Sequence, residues 1–65
     1  MKITVNGTAR DTATTTLAAL LVELGYGETK VATAVNEAFV PVTMREKQSL
    51  NNGDRIEIVA PRQGG

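Results

Sequence analysis

Leu17, Leu20, Leu21 and Leu24 stand at i, i+3, i+4 and i+7, which places four leucines on one stripe of a helix. The runs on either side of this stripe alternate at period two, so a single helix has to bury its apolar face against a sheet. Thr15 or Thr16 is available as the N-cap and Gly25 as the residue that ends the helix. Neither threonine is followed three residues later by Glu or Gln, so the cap lacks a reciprocal partner and its position stays open between the two.

The first period-two run is Lys2-Ile3-Thr4-Val5, with Ile3 and Val5 on one face. It leads into Asn6-Gly7, a dipeptide that accepts the positive φ of a type I′ turn and signals a hairpin. The return strand, Thr8 to about Ala13, is poor in apolar residues and suits a sheet edge, where Arg10 and Asp11 blunt unwanted pairing. Beyond the helix and the Tyr26-Gly27-Glu28 connection, Val31-Ala32-Thr33-Ala34-Val35 is apolar or small on both faces, as for a central strand. Asn36-Glu37-Ala38 reads as a turn into Phe39-Val40, a short edge strand that Pro41 ends by removing a backbone donor. Residues 42–49 carry mixed charge without a clean period, giving a loop with one helical turn or none, pinned by Leu50. After the turn residues Asn51-Asn52-Gly53-Asp54, the run Arg55 to Ala60 is a strand with Ile56 and Ile58 inward.

The order strand, strand, helix, strand, short strand, strand describes an α+β chain with one helix on one face of a mixed sheet of about five strands, a β-grasp arrangement. The whole domain separates the first strand from the last, so their pairing is expected to be parallel. Residues 1–60 form this domain, and residues 61–65, Pro61-Arg62-Gln63-Gly64-Gly65, form a flexible tail.

Sixty-five residues leave room for one small domain, whose core cannot enclose a sizeable buried substrate cavity. Seven basic and seven acidic residues cancel, and Tyr26 and Phe39 are the two aromatics, so both the field and the stacking platforms wanted by nucleic acid are missing. Without cysteine or histidine there is no thiolate nucleophile, no iron-sulfur ligand, and neither the commonest general base nor the commonest zinc ligand. No apolar block of signal-peptide or membrane-spanning length occurs, so a soluble cytoplasmic protein with no membrane partner is expected.

With no plausible nucleophile and base pair among the side chains, the terminal carboxylate on Gly65 becomes the candidate reactive group. It is an anion at neutral pH and can attack phosphorus. Five extended residues reach on the order of 17 Å at about 3.3–3.6 Å each, and Gly64-Gly65 would pass through an opening too narrow for side chains. A loose end of small residues with no role is the competing reading.

Ile3-Thr4-Val5-Asn6-Gly7, Leu17-Ala18-Ala19-Leu20-Leu21, Val31 to Asn36 leading to Val40-Pro41, Gly53 to Val59, and Gly64-Gly65 stand in the order and spacing of the ThiS family. The chain resembles these sulfur carriers of thiamin thiazole biosynthesis over essentially its whole length. The resemblance implies a ubiquitin-like fold and a protein that is a co-substrate rather than an enzyme, a monomer when free, with no bound cofactor or metal. It further implies that a ThiF-type activating enzyme uses ATP and magnesium to adenylate Gly65 and that a persulfide sulfur donor displaces AMP. The resulting thiocarboxylate would then deliver sulfur to the thiazole synthase ThiG. Related readings are a carrier of the molybdopterin synthase small-subunit type, against which the shortness of the chain weighs, a ubiquitin-like protein modifier, and a binding module with an inert tail.

Two stretches depart from the family pattern. Val42-Thr43-Met44-Arg45 stands where many members carry an arginine and then a tryptophan, so no partner contact is carried over there. Pro61-Arg62-Gln63 replaces a mostly small, apolar approach to the glycines. On the sheet face away from the leucine stripe, Phe39 or Val40, together with Val59, are candidates for a docking patch, against the alternative of scattered surface hydrophobes. Arg62 either pairs with an acidic partner surface, guides the arm toward nucleotide phosphate, or is an ordinary solvated charge. Slower adenylation of Arg62→Ala at low salt, fading as salt is added, marks a guiding role; unchanged kinetics mark a solvated residue.

Overall fold

The computed structural model describes residues 1–27 and 29–60. Five strands, β1 (Lys2–Val5), β2 (Thr8–Asp11), β3 (Ala32–Val35), β4 (Ala38–Val40) and β5 (Arg55–Val59), form one sheet in the order β2-β1-β5-β3-β4. β1 and β5 run parallel, with Thr4 opposite Arg55 and Val5 opposite Ile56, and every other neighbouring pair is antiparallel. The helix α1 (Leu17–Glu23) covers one face, completing the expected β-grasp architecture.

Both hairpins turn in two residues. Asn6 and Gly7 have φ of 50° and 84°, Asn36 and Glu37 have φ of 51° and 71°, and positive φ at both central positions is what a type I′ turn requires. The second turn is one residue shorter than the sequence suggests, because Ala38 already pairs with Val35. The return strand ends at Asp11 rather than near Ala13, since Thr12 is buried and its hydroxyl bonds Thr14 Oγ1 (2.8 Å) and donates to Glu23 Oε1 (3.1 Å).

Thr16 is the N-cap, its hydroxyl accepting from Ala19 N at 3.2 Å. Two other free amides of the first turn are met by carbonyls: Leu17 N donates to Gln48 O (2.9 Å) and Ala18 N to Arg45 O (3.1 Å), and the regular helical bonds begin with Leu20 N donating to Thr16 O (3.0 Å). The 42–49 stretch is therefore the seat of the helix N-terminus. It contains a short 3-10 turn, Val42–Met44, and a bridge between Ser49 and Thr16. At the other end Gly25, at φ 89°, closes a Schellman motif: Gly25 N donates to Val22 O (3.1 Å) and Tyr26 N to Leu21 O (2.8 Å).

Leu17, Leu20 and Leu21 are buried against Ile3, Val31, Val35, Val40, Leu50, Ile56 and Ile58, while Leu24 lies half-buried at the margin. Among the described residues no helix is long and apolar enough to cross a membrane.

Glu37 holds a left-handed conformation that glycine adopts freely. Glu37→Gly is expected to raise stability by about 0.5–1 kcal/mol in urea denaturation, the left-handed penalty removed less the added chain entropy of glycine.

Candidate functional site

β5 alternates cleanly: Ile56 and Ile58 point into the core, and Arg55, Glu57 and Val59 point to solvent on the face that α1 leaves open. On that face Val59 stands opposite Ala32, and Ala34 stands between Glu57 and Phe39. The small alanines leave a shallow depression lined by Ala32, Ala34, Phe39, Glu57 and Val59. A second depression, lined by Lys30, Val31, Ala32 and Val59, adjoins it at the end where β5 leaves the sheet. Phe39 is 70% exposed and Val59 64%, so the centre of the face is apolar and open. Glu57 lines the first depression and Lys30 the second, supplying charge of opposite sign.

The sequence left Phe39 and Val40 as alternatives for this face, and the strand register decides between them. Ala34 opposite Phe39 turns Phe39 outward. Val40 points inward, is 4% exposed, and is corrected from surface candidate to core residue. Of the remaining candidates, Gly65, Gly64 and Arg62 lie outside the described residues, and Val59 is the one nearest to them in sequence. Ala32, Ala34, Lys30 and Glu57 line the face without having been singled out. The alternation of alanine with larger residues in Val31 to Val35 was the available signal.

Three side chains fix the position of β5 under this face. Asn36 Oδ1 accepts from Arg55 N (3.0 Å) and its Nδ2 donates to Asp54 Oδ1 (3.0 Å). The buried Asp54 carboxylate also accepts from Asn51 N at Oδ2 (2.7 Å), so each of its oxygens has a partner. Asn6 contacts the strand farther along, at Ile58. On the flank, Arg45 Nε donates to Thr33 Oγ1 (3.1 Å), its guanidinium also reaches Val31 O, and Thr33 Oγ1 donates to Val40 O (2.8 Å).

Among the described residues no cluster of carboxylates is arranged to hold a metal ion. What the geometry offers is an exposed, mainly apolar surface beside the end of β5.

Comparison with known proteins gives a consistent family. The ThiS family model matches residues 3–65. A protein of Paramagnetospirillum magneticum (strain AMB-1) named thiazole synthase is 42% identical over 66 residues. That match covers 100% of this chain and 20% of the relative, so the chain spans about one fifth of the relative's length. The crystal structure of a thiamine biosynthesis protein (ThiS) from Geobacter metallireducens has a TM-score of 0.84 at 22% identity, covering 100% of both chains. An NMR solution structure of a thiamine biosynthesis protein from the same organism gives 0.80 at 25% identity, covering 100% of this chain and 88% of that one.

The register carries a direct test. Val59→Asp is expected to keep cooperative unfolding with a loss of no more than about 1 kcal/mol, as for exposed strand positions. Val40→Asp buries a carboxylate without a partner and is expected to unfold the domain, as monitored by circular dichroism.

Proposed function

The chain belongs to the ThiS family, and on that premise we propose that it is a sulfur carrier of thiamin thiazole formation whose working group is the carboxylate of Gly65. The observation that carries this reading is the family match running from Ile3 through Gly65, so that fold and terminal diglycine fall within one pattern. The likeness to a segment of a protein named thiazole synthase supports a thiazole synthase of the ThiG type as the recipient of the sulfur.

The chemistry follows from what a carboxylate lacks. Its negative charge resists nucleophilic attack, so it must be activated before sulfur can be installed. A ThiF-type enzyme, using ATP and magnesium, would let the Gly65 carboxylate attack the α-phosphorus and displace pyrophosphate, giving an acyl adenylate. A persulfide then attacks the acyl carbon and AMP leaves. A thiol then attacks the donor's sulfur in the resulting acyl disulfide and leaves with it as a disulfide, and the thiocarboxylate remains on Gly65. The electrostatic stabilisation for these steps comes from the partner enzymes, and this chain is their co-substrate. Its own contribution is division of labour: residues 1–60 are the handle, with Phe39 and Val59 at the centre of the docking face, and residues 61–65 are the arm. Free in the cytoplasm, it would be a monomer until it meets a partner.

Incubation with a ThiF-type enzyme, ATP and a sulfur source is expected to replace one oxygen by sulfur on Gly65, seen in the intact mass. Removing Gly64 and Gly65 should abolish the change, and Val59→Asp should weaken the complex with the activating enzyme. Ladders of larger adducts would assign a protein modifier instead, and an unchanged mass an inert tail.

A further inference from the structure

β1 stops at Val5 because the chain turns away at Asn6 and Gly7, yet β5 continues past the point where β1 can pair with it. Strand pairing meets the β1 side of β5 as far as Ile56, whose carbonyl accepts from Asn6 N at 2.9 Å. The next backbone groups on that side belong to Ile58. There the Asn6 carboxamide takes the place of the missing strand: Oδ1 accepts from Ile58 N at 2.8 Å and Nδ2 donates to Ile58 O at 3.1 Å.

The same device operates on the other flank. Asn36 opens the second hairpin turn with φ 51°, nearly matching the 50° of Asn6, and its side chain accepts from Arg55 N. Each hairpin thus sends the first residue of its turn onto β5, Asn36 at the entrance of the strand and Asn6 at its exit. The two ends are not held equally. The entrance is also held by Asp54, whose carbonyl accepts from Thr4 N (3.0 Å). Past Ile58, the exit is held by the pairing of Val59 with Ala32 on the β3 side.

We infer that Asn6 is a positioning residue for the C-terminal arm: its carboxamide pins the last rung of β5 on the β1 side, at Ile58, and so helps to fix where the handle ends and the arm begins. The inference rests on the carrier function proposed above. If Ile58 is released, the exit of β5 can fray, and every freed residue must be ordered again when Gly65 enters a partner's cleft. A longer tether also lowers the effective concentration of the terminus at that cleft. The reacting atoms are untouched, so the effect belongs to the KM for the carrier and not to kcat.

Asn6→Gly separates this role from that of a turn residue, since glycine keeps the positive φ and loses both side-chain bonds. Asn6→Asp keeps the acceptor for Ile58 N and sets a carboxylate against Ile58 O. The test combines amide hydrogen exchange on the free chains with steady-state adenylation by a ThiF-type enzyme at varied carrier concentration. In Asn6→Gly, exchange at Ile58 is expected to rise about thirtyfold while Leu20 and Leu21 in α1 stay within about threefold. The KM for the carrier is expected to rise about tenfold with kcat within about twofold, and Asn6→Asp is expected to fall between wild type and Asn6→Gly. Wild-type exchange at Ile58 with an unchanged KM would overturn the inference, as would faster exchange throughout the domain accompanied by a fall in kcat. If the wild-type chain is itself not adenylated, the carrier reading fails and the positional role with it, while the exchange contrast still reports whether Asn6 pins Ile58.

Discussion

β5 lies between a parallel neighbour and an antiparallel one, and the placement of both hairpins depends on how it is held. A parallel pair cannot be closed by a tight turn, so the chain between β1 and β5 has to travel across the sheet and back. That requirement accounts for α1, which buries three leucines over Ile3, Ile56 and Ile58, and for the 42–49 stretch, whose carbonyls receive the first amides of the helix. Because strand pairing alone leaves polar groups of β5 unmet, Asn6 and Asn36 supply the remainder from the two turns.

Covering one face of the sheet and leaving the other bare divides the molecule into roles. The covered face provides stability. The open face, with small Ala32 and Ala34 between Phe39 and Val59, provides a shallow, mainly apolar surface that Glu57 borders on β5. Because β5 forms part of that surface and also leads to residues 61–65, a partner that grips the face would receive the arm at a set place. A chain of this size need not build an active site if it carries its reactive group to enzymes that have one.

Local periodicity exposed most of this architecture. The leucine stripe, the Asn-Gly turn, Pro41 after a short edge strand and the alternation of Ile56 and Ile58 each reflect a choice made within a few residues, and each appears in the structure where the sequence implied it. What stayed hidden depends on distance along the chain. Asn6 looked like a turn residue because its bond partner is 52 residues away, and Asp54 looked like turn chemistry although it is buried and bonded to Asn36. Phe39 and Val40 could not be told apart without the register against β3, since a slip of one residue exchanges inside for outside. The 42–49 stretch has no period of its own because its task is to cap a helix from elsewhere in the sequence. The side-chain inventory pointed to the carboxylate of Gly65, and the family resemblance supplied what no spacing could, namely the sulfur chemistry expected of it.

If the sulfur of the thiazole resides on Gly65 before ring formation, isotope transfer reports it directly. The chain would be charged with labelled sulfur on Gly65, freed of small molecules, and given to a thiazole synthase with its other substrates and unlabelled sulfide in excess. Label appearing in the thiazole in proportion to the carrier consumed is the expected result. A thiazole that draws its sulfur from the unlabelled pool, with the label still on Gly65, would contradict it.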